Sequence, residues 1–281
     1  MTIIIDGKDI SAKICEKLKE DISTLCLKPG LAVILVGGDP ASQTYVKMKE
    51  NKAKEIGILS KVVLMPETST QKELEKEIKT LNNDKQIDGI LVQLPLPKHL
   101  NENEATNLID ASKDVDGLHP LNVGKLMLGQ EPLFYPCTPS GCMKLIDSLN
   151  FEVSGKNAVV IGRSNIVGKP IAQLLMKRNA TVTVCHSRTA NIGQVIKNAD
   201  IIIAALGKPK FVKADMVKKG AVVIDVGTTR TETGLVGDVD FEAVKDIAYA
   251  ITPVPKGVGP MTIAMLMSNC VDSAKRRALG K

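Results

Sequence analysis

The chain has 281 residues, which suggests two domains, and 44% of them are hydrophobic, so the protein can bury a sizeable core. Aromatic residues make up only 2%, and the net charge of +6 is a mild excess spread along the chain. This composition disfavours nucleic acid binding, which usually requires clustered Lys and Arg or stacking aromatics, and it is compatible with small anionic ligands.

Cysteine and histidine are sparse. The six cysteines form no Cys-x-x-Cys pair and the chain has three histidines, so we expect reduced thiols and no metal site. The N-terminal sequence MTIIIDGKDI lacks the basic region and long apolar run of a signal peptide. No apolar stretch reaches the roughly 18 residues that a membrane helix requires. The sequence therefore predicts a cytoplasmic protein without a membrane span.

The first part of the chain alternates apolar runs with amphipathic stretches. In chain order, the pattern predicts a strand at 31–36, a helix from about Ser42 to Ile56, a strand at 61–65, a charged helix at 70–82 and a strand at 88–97 that runs into a proline-rich loop. The run LAVILV at 31–36 is continuously apolar, as in a strand buried on both faces. This alternation predicts a parallel sheet covered by helices.

A second series follows an irregular region. Residues 110–141 are rich in Pro, Gly and Asp and are predicted to contain the domain border, and a crossing helix is predicted at 139–150. Further strands are predicted at 157–162, 181–185, 201–206 and 221–227, with helices near 170–178 and 191–198. Such βαβ units indicate a Rossmann-like dinucleotide-binding fold. Apolar residues at helical spacing predict a long C-terminal helix at 259–280 that ends in basic residues.

A glycine-containing turn follows the predicted strand at 157–162 and opens the next helix. Its pattern is Gly162-x-Ser164-x-x-x-Gly168, which differs from the common Gly-x-Gly-x-x-Gly. Such a turn brings backbone N–H groups and a helix N-terminus to a pyrophosphate. A purely structural turn also explains the pattern, but its place inside a βαβ series favours a cofactor site.

The residues after the next strand bear on the choice between NAD and NADP. NAD-binding folds usually carry an acid there that holds the ribose hydroxyls. This chain instead has His186, Ser187 and Arg188, and Arg163 lies in the glycine turn. Because Ser and Arg side chains bind a 2′-phosphate that an acid would repel, the sequence favours NADP. The alternative is that Arg188 is a solvated surface charge.

A lysine lies on the predicted inward face of the first amphipathic helix. Tyr45, Lys49, Lys52 and Ile56 form one stripe at helical spacing. A desolvated lysine loses part of its proton affinity and can perform acid–base chemistry near neutral pH. The alternative is a lysine whose stem lies on the surface with its amine in water.

Polar residues later in the chain favour the catalytic interpretation of this lysine. Gln93 ends a predicted buried strand, where ligands gather in open α/β sheets. Its neutral amide can hold a lysine amine without raising the proton affinity of that amine as a carboxylate would. Asp114 and Asp116 lie in the irregular loop KDVDGLHP. Acids there are suited either to binding the N–H pair of a heterocycle or to capping a turn.

Taken together, these segments resemble the bifunctional methylenetetrahydrofolate dehydrogenase/methenyltetrahydrofolate cyclohydrolase family. The matching segments run in the family's order from about residue 42 to residue 267: SQTYVKMK, DGILVQLPLP, KDVDGLHP, PCTPSG, VVIGRSNIVGKP, TVTVCHSRT, VVIDVG, VGDVD and ITPVPKGVGPMTIAMLM. The resemblance implies a homodimer that oxidises 5,10-methylenetetrahydrofolate with NADP and hydrolyses the methenyl product to 10-formyltetrahydrofolate. It also implies two α/β domains: an N-terminal folate domain at 1–138, completed by the C-terminal helix at 257–281, and a Rossmann-like NADP-binding domain at 139–256.

The resemblance further implies roles for individual residues. Lys49 would be the catalytic lysine, chiefly for hydrolysis, and Gln93 would position it. Tyr45 would stack on the folate ring system, and Asp116 would bind the pterin. The cofactor would contact Gly162, Arg163, Ser164, Gly168, Ser187, Arg188 and Thr228. The folate would also contact Val92, Leu94, Pro255, Gly257, Gly259 and Pro260. The mild positive charge of the protein would help to hold a polyglutamate tail.

The chain departs from the family pattern at two positions. Lys256 stands where glycine is common, and Thr228 replaces an apolar residue expected beside the nicotinamide, which bears on cofactor affinity and preference. The closest alternative is a two-domain NAD(P)-dependent dehydrogenase of another small substrate, which would not need YVKMK and VQLPLP together. The others are a family member with a single activity and a nucleotide-binding regulator without turnover.

Overall fold

The chain divides into two compact units, each of which contains its own parallel sheet. A computed structural model describes residues 2–232 and 234–280. The larger-sheet unit comprises residues 1–12, 126–130 and 136–262, and the smaller-sheet unit comprises residues 13–125, 131–135 and 263–281.

Strands and helices are labelled in chain order. The strands are β1 (Ile3–Ile4), β2 (Gly30–Val36), β3 (Leu59–Met65), β4 (Gly89–Val92), β5 (Asn157–Ile161), β6 (Thr181–Cys185), β7 (Ile201–Ala204), β8 (Val222–Asp225), β9 (Thr229–Thr231), β10 (Gly234–Val236) and β11 (Ala250–Ile251). The helices are α1 (Gly7–Thr24), α2 (Pro40–Ile56), α3 (Gln71–Asn83), α4 (Glu102–Leu108), α5 (Pro120–Met127), α6 (Cys137–Asp147), α7 (Gly168–Lys177), α8 (Ile192–Lys197), α9 (Phe241–Val244) and α10 (Val258–Ala278).

The smaller-sheet unit is built on three parallel strands in the order β3-β2-β4. Every residue of β2 is buried, as its continuous apolar run predicts. The apolar face of α3 packs on this sheet, and its N-terminus is closed by a capping box between Thr70 and Glu73. The C-terminal part of α10 completes the unit, because Ser273 Oγ donates to the carbonyl of Asp88 at 2.8 Å.

The larger-sheet unit contains six strands in the order β1-β11-β8-β7-β5-β6, and all the pairings between them are parallel. The chain passes from β5 to β6 on one side and then returns to β7 on the other side of β5. The strand order therefore reverses at β5, as at the ligand-binding switch point of doubly wound folds. Strands β9 and β10 form a separate antiparallel pair. The predicted fold class of two α/β domains, one of them Rossmann-like, is confirmed.

Several elements differ from the pattern expected from sequence. The irregular region predicted at 110–141 contains α5 and the start of α6, so that part of the prediction was wrong. Helix α5 begins at Pro120, where proline is well tolerated because the first helical N–H has no partner within the helix. Helices α1 and α4 and strand β1 were not predicted. The third predicted strand ends at Val92, before the prolines.

The described residues contain neither a candidate membrane span nor a candidate metal-binding cluster. Within residues 2–232 and 234–280, no helix is both long and apolar enough to cross a membrane. The same residues hold no group of three or more His, Cys, Asp and Glu side chains that could ligate a metal ion. All six cysteines are free thiols, and Cys26 is the exposed one among them.

Candidate active site

Helix α2 buries a lysine. Asp39 caps the helix by accepting the backbone N–H of Ser42, and Gly57 ends it in the left-handed conformation. The buried residues recur at helical spacing along one face: Ser42, Val46, Lys49, Ala53 and Ile56. Lys49 is only 8% exposed. The inward orientation predicted for this lysine is therefore observed.

Gln93 is a neutral hydrogen-bond partner of this amine. The Lys49 Nζ donates to Gln93 Oε1 at 2.9 Å. Gln93 follows β4 directly, and its backbone N–H donates to Ile34 O on the neighbouring strand. Its Nε2 donates to Leu94 O at 2.6 Å. These bonds fix the orientation of the amide, so that its oxygen faces the lysine and its nitrogen faces away.

Other predicted residues lie in the same unit. Tyr45 lies one turn before Lys49 on α2 and is partly buried, and Asp116 is partly buried in the loop before α5. Val92 is the buried last residue of β4, and Leu94 is partly buried. The structure thus assigns Tyr45, Lys49, Val92, Gln93, Leu94 and Asp116 to the smaller-sheet unit.

Asp114 caps a turn, which was one of the two interpretations open from sequence. Its carboxylate accepts the backbone N–H groups of Leu118 and His119 and the side-chain amide of Asn122. Burial raises the pKa of Asp114 to about 6. These three donors bind both oxygens of the Asp114 carboxylate, which therefore holds the loop that contains Asp116.

The glycine turn lies between β5 and α7 in the larger-sheet unit. Gly162 has φ +125°, and a Cβ added to it would lie 2.1 Å from the carbonyl oxygen of Ala205, so no other residue fits. Ser164 Oγ accepts the N–H groups of Val167 and Gly168 at the start of α7. Arg163 and Ser164 are exposed. The turn therefore places an exposed cation at a helix N-terminus, an arrangement suited to a pyrophosphate.

The segment after β6 suits a second phosphate. Ser187 and Arg188 are exposed, and the backbone of this segment is held by a bond from Arg188 N to His186 Nδ1 and another from His186 N to Thr189 Oγ1. No carboxylate occurs among residues 186–188. Thr228 is exposed just after β8. Because parallel strands end at one edge of a sheet, the turn after β5 and these two segments lie along the same edge, and the residues present fit NADP.

The loop at 253–257 joins β11 to α10. It contains a cis peptide bond before Pro255, and Lys256 has φ +83°, a conformation that favours glycine. The Lys256 carbonyl accepts the N–H of Lys8, which ties the loop to α1. The predicted folate contacts Pro255, Gly257, Gly259 and Pro260 lie in this loop and in the first turn of α10, within the larger-sheet unit.

Two acids to which the sequence analysis gave no role are buried near the carboxyl ends of the strands of the larger sheet. Asp225 ends β8 and is 3% exposed, and Asp238 is 0% exposed. Burial, and to a smaller extent the nearby Asp238 carboxylate, raises the pKa of Asp225 to about 7, although hydrogen bonds from backbone N–H groups oppose the rise. The sequence does carry a signal for Asp225, because this acid directly ends an apolar strand and such a position is buried on both faces.

Comparison with known proteins identifies the family. The model of the tetrahydrofolate dehydrogenase/cyclohydrolase catalytic domain matches residues 5–116, and that of the family's NAD(P)-binding domain matches residues 136–278. A bifunctional protein FolD from Bacillus mycoides is 56% identical over 280 residues, which cover 98% of both chains. A match over the full length decides against a dehydrogenase of another small substrate.

Solved structures agree with this assignment. The bifunctional dehydrogenase/cyclohydrolase from Campylobacter jejuni is 52% identical, has a TM-score of 0.96 and aligns over 99% of this chain and 100% of its own. The Trypanosoma brucei enzyme, solved with NADP and an inhibitor, is 40% identical with a TM-score of 0.95, over 99% of this chain and 98% of its own. The chain therefore belongs to the tetrahydrofolate dehydrogenase/cyclohydrolase family and carries both of its domains.

Proposed function

We propose that this chain catalyses two consecutive reactions on a folate. The first removes a hydride from the methylene carbon of 5,10-methylenetetrahydrofolate and leaves the 5,10-methenyl cation. The second adds water to that carbon, opens the ring to 10-formyltetrahydrofolate and releases a proton. The observation that carries the proposal is the buried amine of Lys49, which donates to the neutral amide of Gln93 at 2.9 Å.

Lys49 is suited to moving protons in the second reaction. The attacking water must lose a proton, and a neutral lysine amine can accept it and pass it on. A permanently charged lysine would repel the methenyl cation. The amide of Gln93 holds the amine without the attraction that a carboxylate in its place would add. Gln93 therefore acts as the positioning residue of Lys49.

The folate would be held by residues that the family resemblance assigns. Tyr45 lies one helical turn from Lys49, and its partly buried ring is available to stack on the pterin. Asp116 would accept the N–H pair of the pterin. Further substrate contacts are proposed at Val92, Gln93, Leu94, Pro255, Gly257, Gly259 and Pro260.

The first reaction depends on positioning more than on acid–base chemistry. NADP, when bound, accepts the hydride from the methylene carbon. The phosphates would be held by the turn after β5, and the 2′-phosphate by the segment after β6, where exposed Ser and Arg replace an acid. The proposed cofactor contacts are Gly162, Arg163, Ser164, Gly168, Ser187, Arg188 and Thr228.

The larger organisation is also part of the proposal. The folate domain would comprise residues 1–138 and 257–281, and the NADP-binding domain residues 139–256.

The six free thiols suit a reducing compartment such as the cytoplasm. A homodimer would appear as twice the monomer mass of 30.1 kDa in light scattering. The net charge of +6 would favour polyglutamylated folates, and the test is a lower KM for a triglutamate substrate than for the monoglutamate.

The proposal is tested by following both products of one reaction mixture. Purified protein is given methylenetetrahydrofolate with NADP or with NAD, and reduced nicotinamide and the methenyl intermediate are measured together. Reduction without lasting methenyl accumulation supports both activities, and faster reduction with NADP supports the cofactor assignment. The variant K49M should reduce NADP but accumulate methenyltetrahydrofolate. Equal loss of both activities in a folded K49M variant would contradict the separate role of Lys49.

A further inference from the structure

Two buried carboxylates join the loops that follow β7 and β8. Both loops lie at the carboxyl edge of the larger sheet, and β8, β7 and β5 are adjacent there. Asp225 and Asp238 are 3% and 0% exposed, so neither side chain is a solvated surface charge. Two adjacent buried acids are costly unless N–H groups satisfy them, and their partners therefore show what they hold in place.

Asp238 holds the loop after β7. Its Oδ2 accepts the backbone N–H of Leu206 at 2.5 Å and that of Gly207 at 2.9 Å. The preceding residue, Ala205, has its carbonyl oxygen against Gly162, where a Cβ would approach to 2.1 Å. The carboxylate of Asp238 thus fixes the loop that closes on the glycine turn after β5.

Asp225 holds both the loop after β8 and Asp238 itself. Its Oδ1 accepts the N–H groups of Gly227 at 3.0 Å and Asp238 at 2.9 Å, and its Oδ2 accepts that of Val239 at 2.9 Å. Gly227 immediately precedes Thr228. The two acids therefore form one connected set of five backbone hydrogen bonds, which ties the residues before Thr228 to the loop against Gly162.

The packing at Gly227 shows how closely the two loops are coupled. A Cβ added to Gly227 would lie 2.3 Å from both Cγ and Oδ1 of Asp238. Within residues 2–232 and 234–280, Asp238 Oδ1 is buried without a hydrogen-bond partner, and it lies close against Gly227. A shift of the backbone at 226–228 would therefore displace the Asp238 carboxylate, which holds the backbone at 205–207.

We propose that Asp225 and Asp238 are positioning residues for the dehydrogenase reaction, which hold backbone at 205–207 and 226–228 against the nicotinamide half of NADP. In doubly wound folds, the two halves of a dinucleotide lie on either side of the point where strand order reverses. The proposed 2′-phosphate contacts follow β6, on one side of β5, so the other half lies over the ends of β7 and β8. The inference rests on the cofactor contacts proposed above at Gly162 and Thr228.

The test compares D238A with the wild-type enzyme in both half-reactions. Hydrolysis of supplied methenyltetrahydrofolate does not consume NADP, so it serves as an internal control within the same protein. We expect D238A to raise the KM for NADP about tenfold, because two N–H groups lose a charged acceptor. The hydrolysis rate should stay within about twofold of wild type. The variant D238N keeps an acceptor oxygen and should show a smaller rise in the KM for NADP.

The matched control is D240N, which removes a charge two residues away. The Asp240 carboxylate pairs with Lys213, which lies outside the backbone at 205–207 and 226–228, so its loss should leave the KM for NADP unchanged. If D238A does not fold, G227A displaces the same carboxylate and should show the same selective rise. An unchanged KM for NADP in folded D238A or G227A, or an equal loss of both half-reactions, overturns the positioning role. A wild-type enzyme that reduces neither NADP nor NAD would instead overturn the proposed function.

Discussion

Replacing Gln93 by glutamate tests whether the neutral partner of Lys49 matters for hydrolysis. The two side chains are 2.9 Å apart, and Lys49 is only 8% exposed. The substitution changes the size of the side chain very little but places a negative charge beside the amine. We expect Q93E to fold normally and to lose most of its cyclohydrolase activity.

The size of the effect follows from the distance between the charges. Two unit charges about 3 Å apart attract each other by about 5.5 kcal/mol at an effective dielectric constant of about 20. Desolvation of the new carboxylate offsets part of this attraction. A remainder of only about 1.4 kcal/mol reduces the neutral fraction of the Lys49 amine tenfold. The rate of hydrolysis at neutral pH should therefore fall by about tenfold or more.

The assay is the rate of methenyltetrahydrofolate hydrolysis from about pH 6 to about pH 10, with the spontaneous rate subtracted. The activity of Q93E should recover as the pH rises, because base removes the extra proton that the new carboxylate stabilises on the Lys49 amine. The control is Q86E, which makes the same change at the exposed Gln86 of the same unit. A folded Q93E variant with the wild-type rate and pH profile would refute the reasoning.

Three further changes have outcomes that the structure specifies. R188Q removes an exposed cation after β6, and the preference for NADP over NAD in kcat/KM should fall about tenfold; an unchanged ratio would make Arg188 a surface charge. The Arg277 Nε donates to the buried Asp88 carboxylate at 2.6 Å. R277A should therefore lower the free energy of unfolding in urea by about 1–3 kcal/mol, and a change within about 0.5 kcal/mol would contradict a stabilising role for this ion pair. The pKa of Asp225 is about 7 in the folded state and 3.8 ordinarily, so the folded protein holds this proton more tightly than the unfolded chain does. The stability that this proton contributes is fully present below pH 3.8 and is lost as the pH rises through about 7. Denaturant unfolding should therefore show the wild type losing stability relative to D225N between those two values, and parallel profiles would contradict the shift.

Part of the fold was predictable because local pattern and tertiary environment agree. The strands β2, β5 and β6 fall where apolar runs stand between turn residues, and α2 and α3 fall where apolar residues recur at helical spacing. Helix α5 was missed because Pro120 and Gly124 give its segment the composition of a loop. Such a short helix gains little from intrinsic propensity, and its formation depends on packing that local sequence does not show.

Local sequence pattern specifies the two α/β domains, the glycine turn, the absence of an acid after β6 and the lysine on the inward face of α2. Which side chains meet depends on the tertiary structure. Lys49 and Gln93 are 44 residues apart in the chain, and Asp225 accepts N–H groups from residues 13 and 14 positions later. Those contacts depend on strand order and register, which arise when apolar surface is buried across the whole unit. No local pattern encodes them, because a motif specifies the type of residue that lies at the end of a strand and not the neighbour that it meets there.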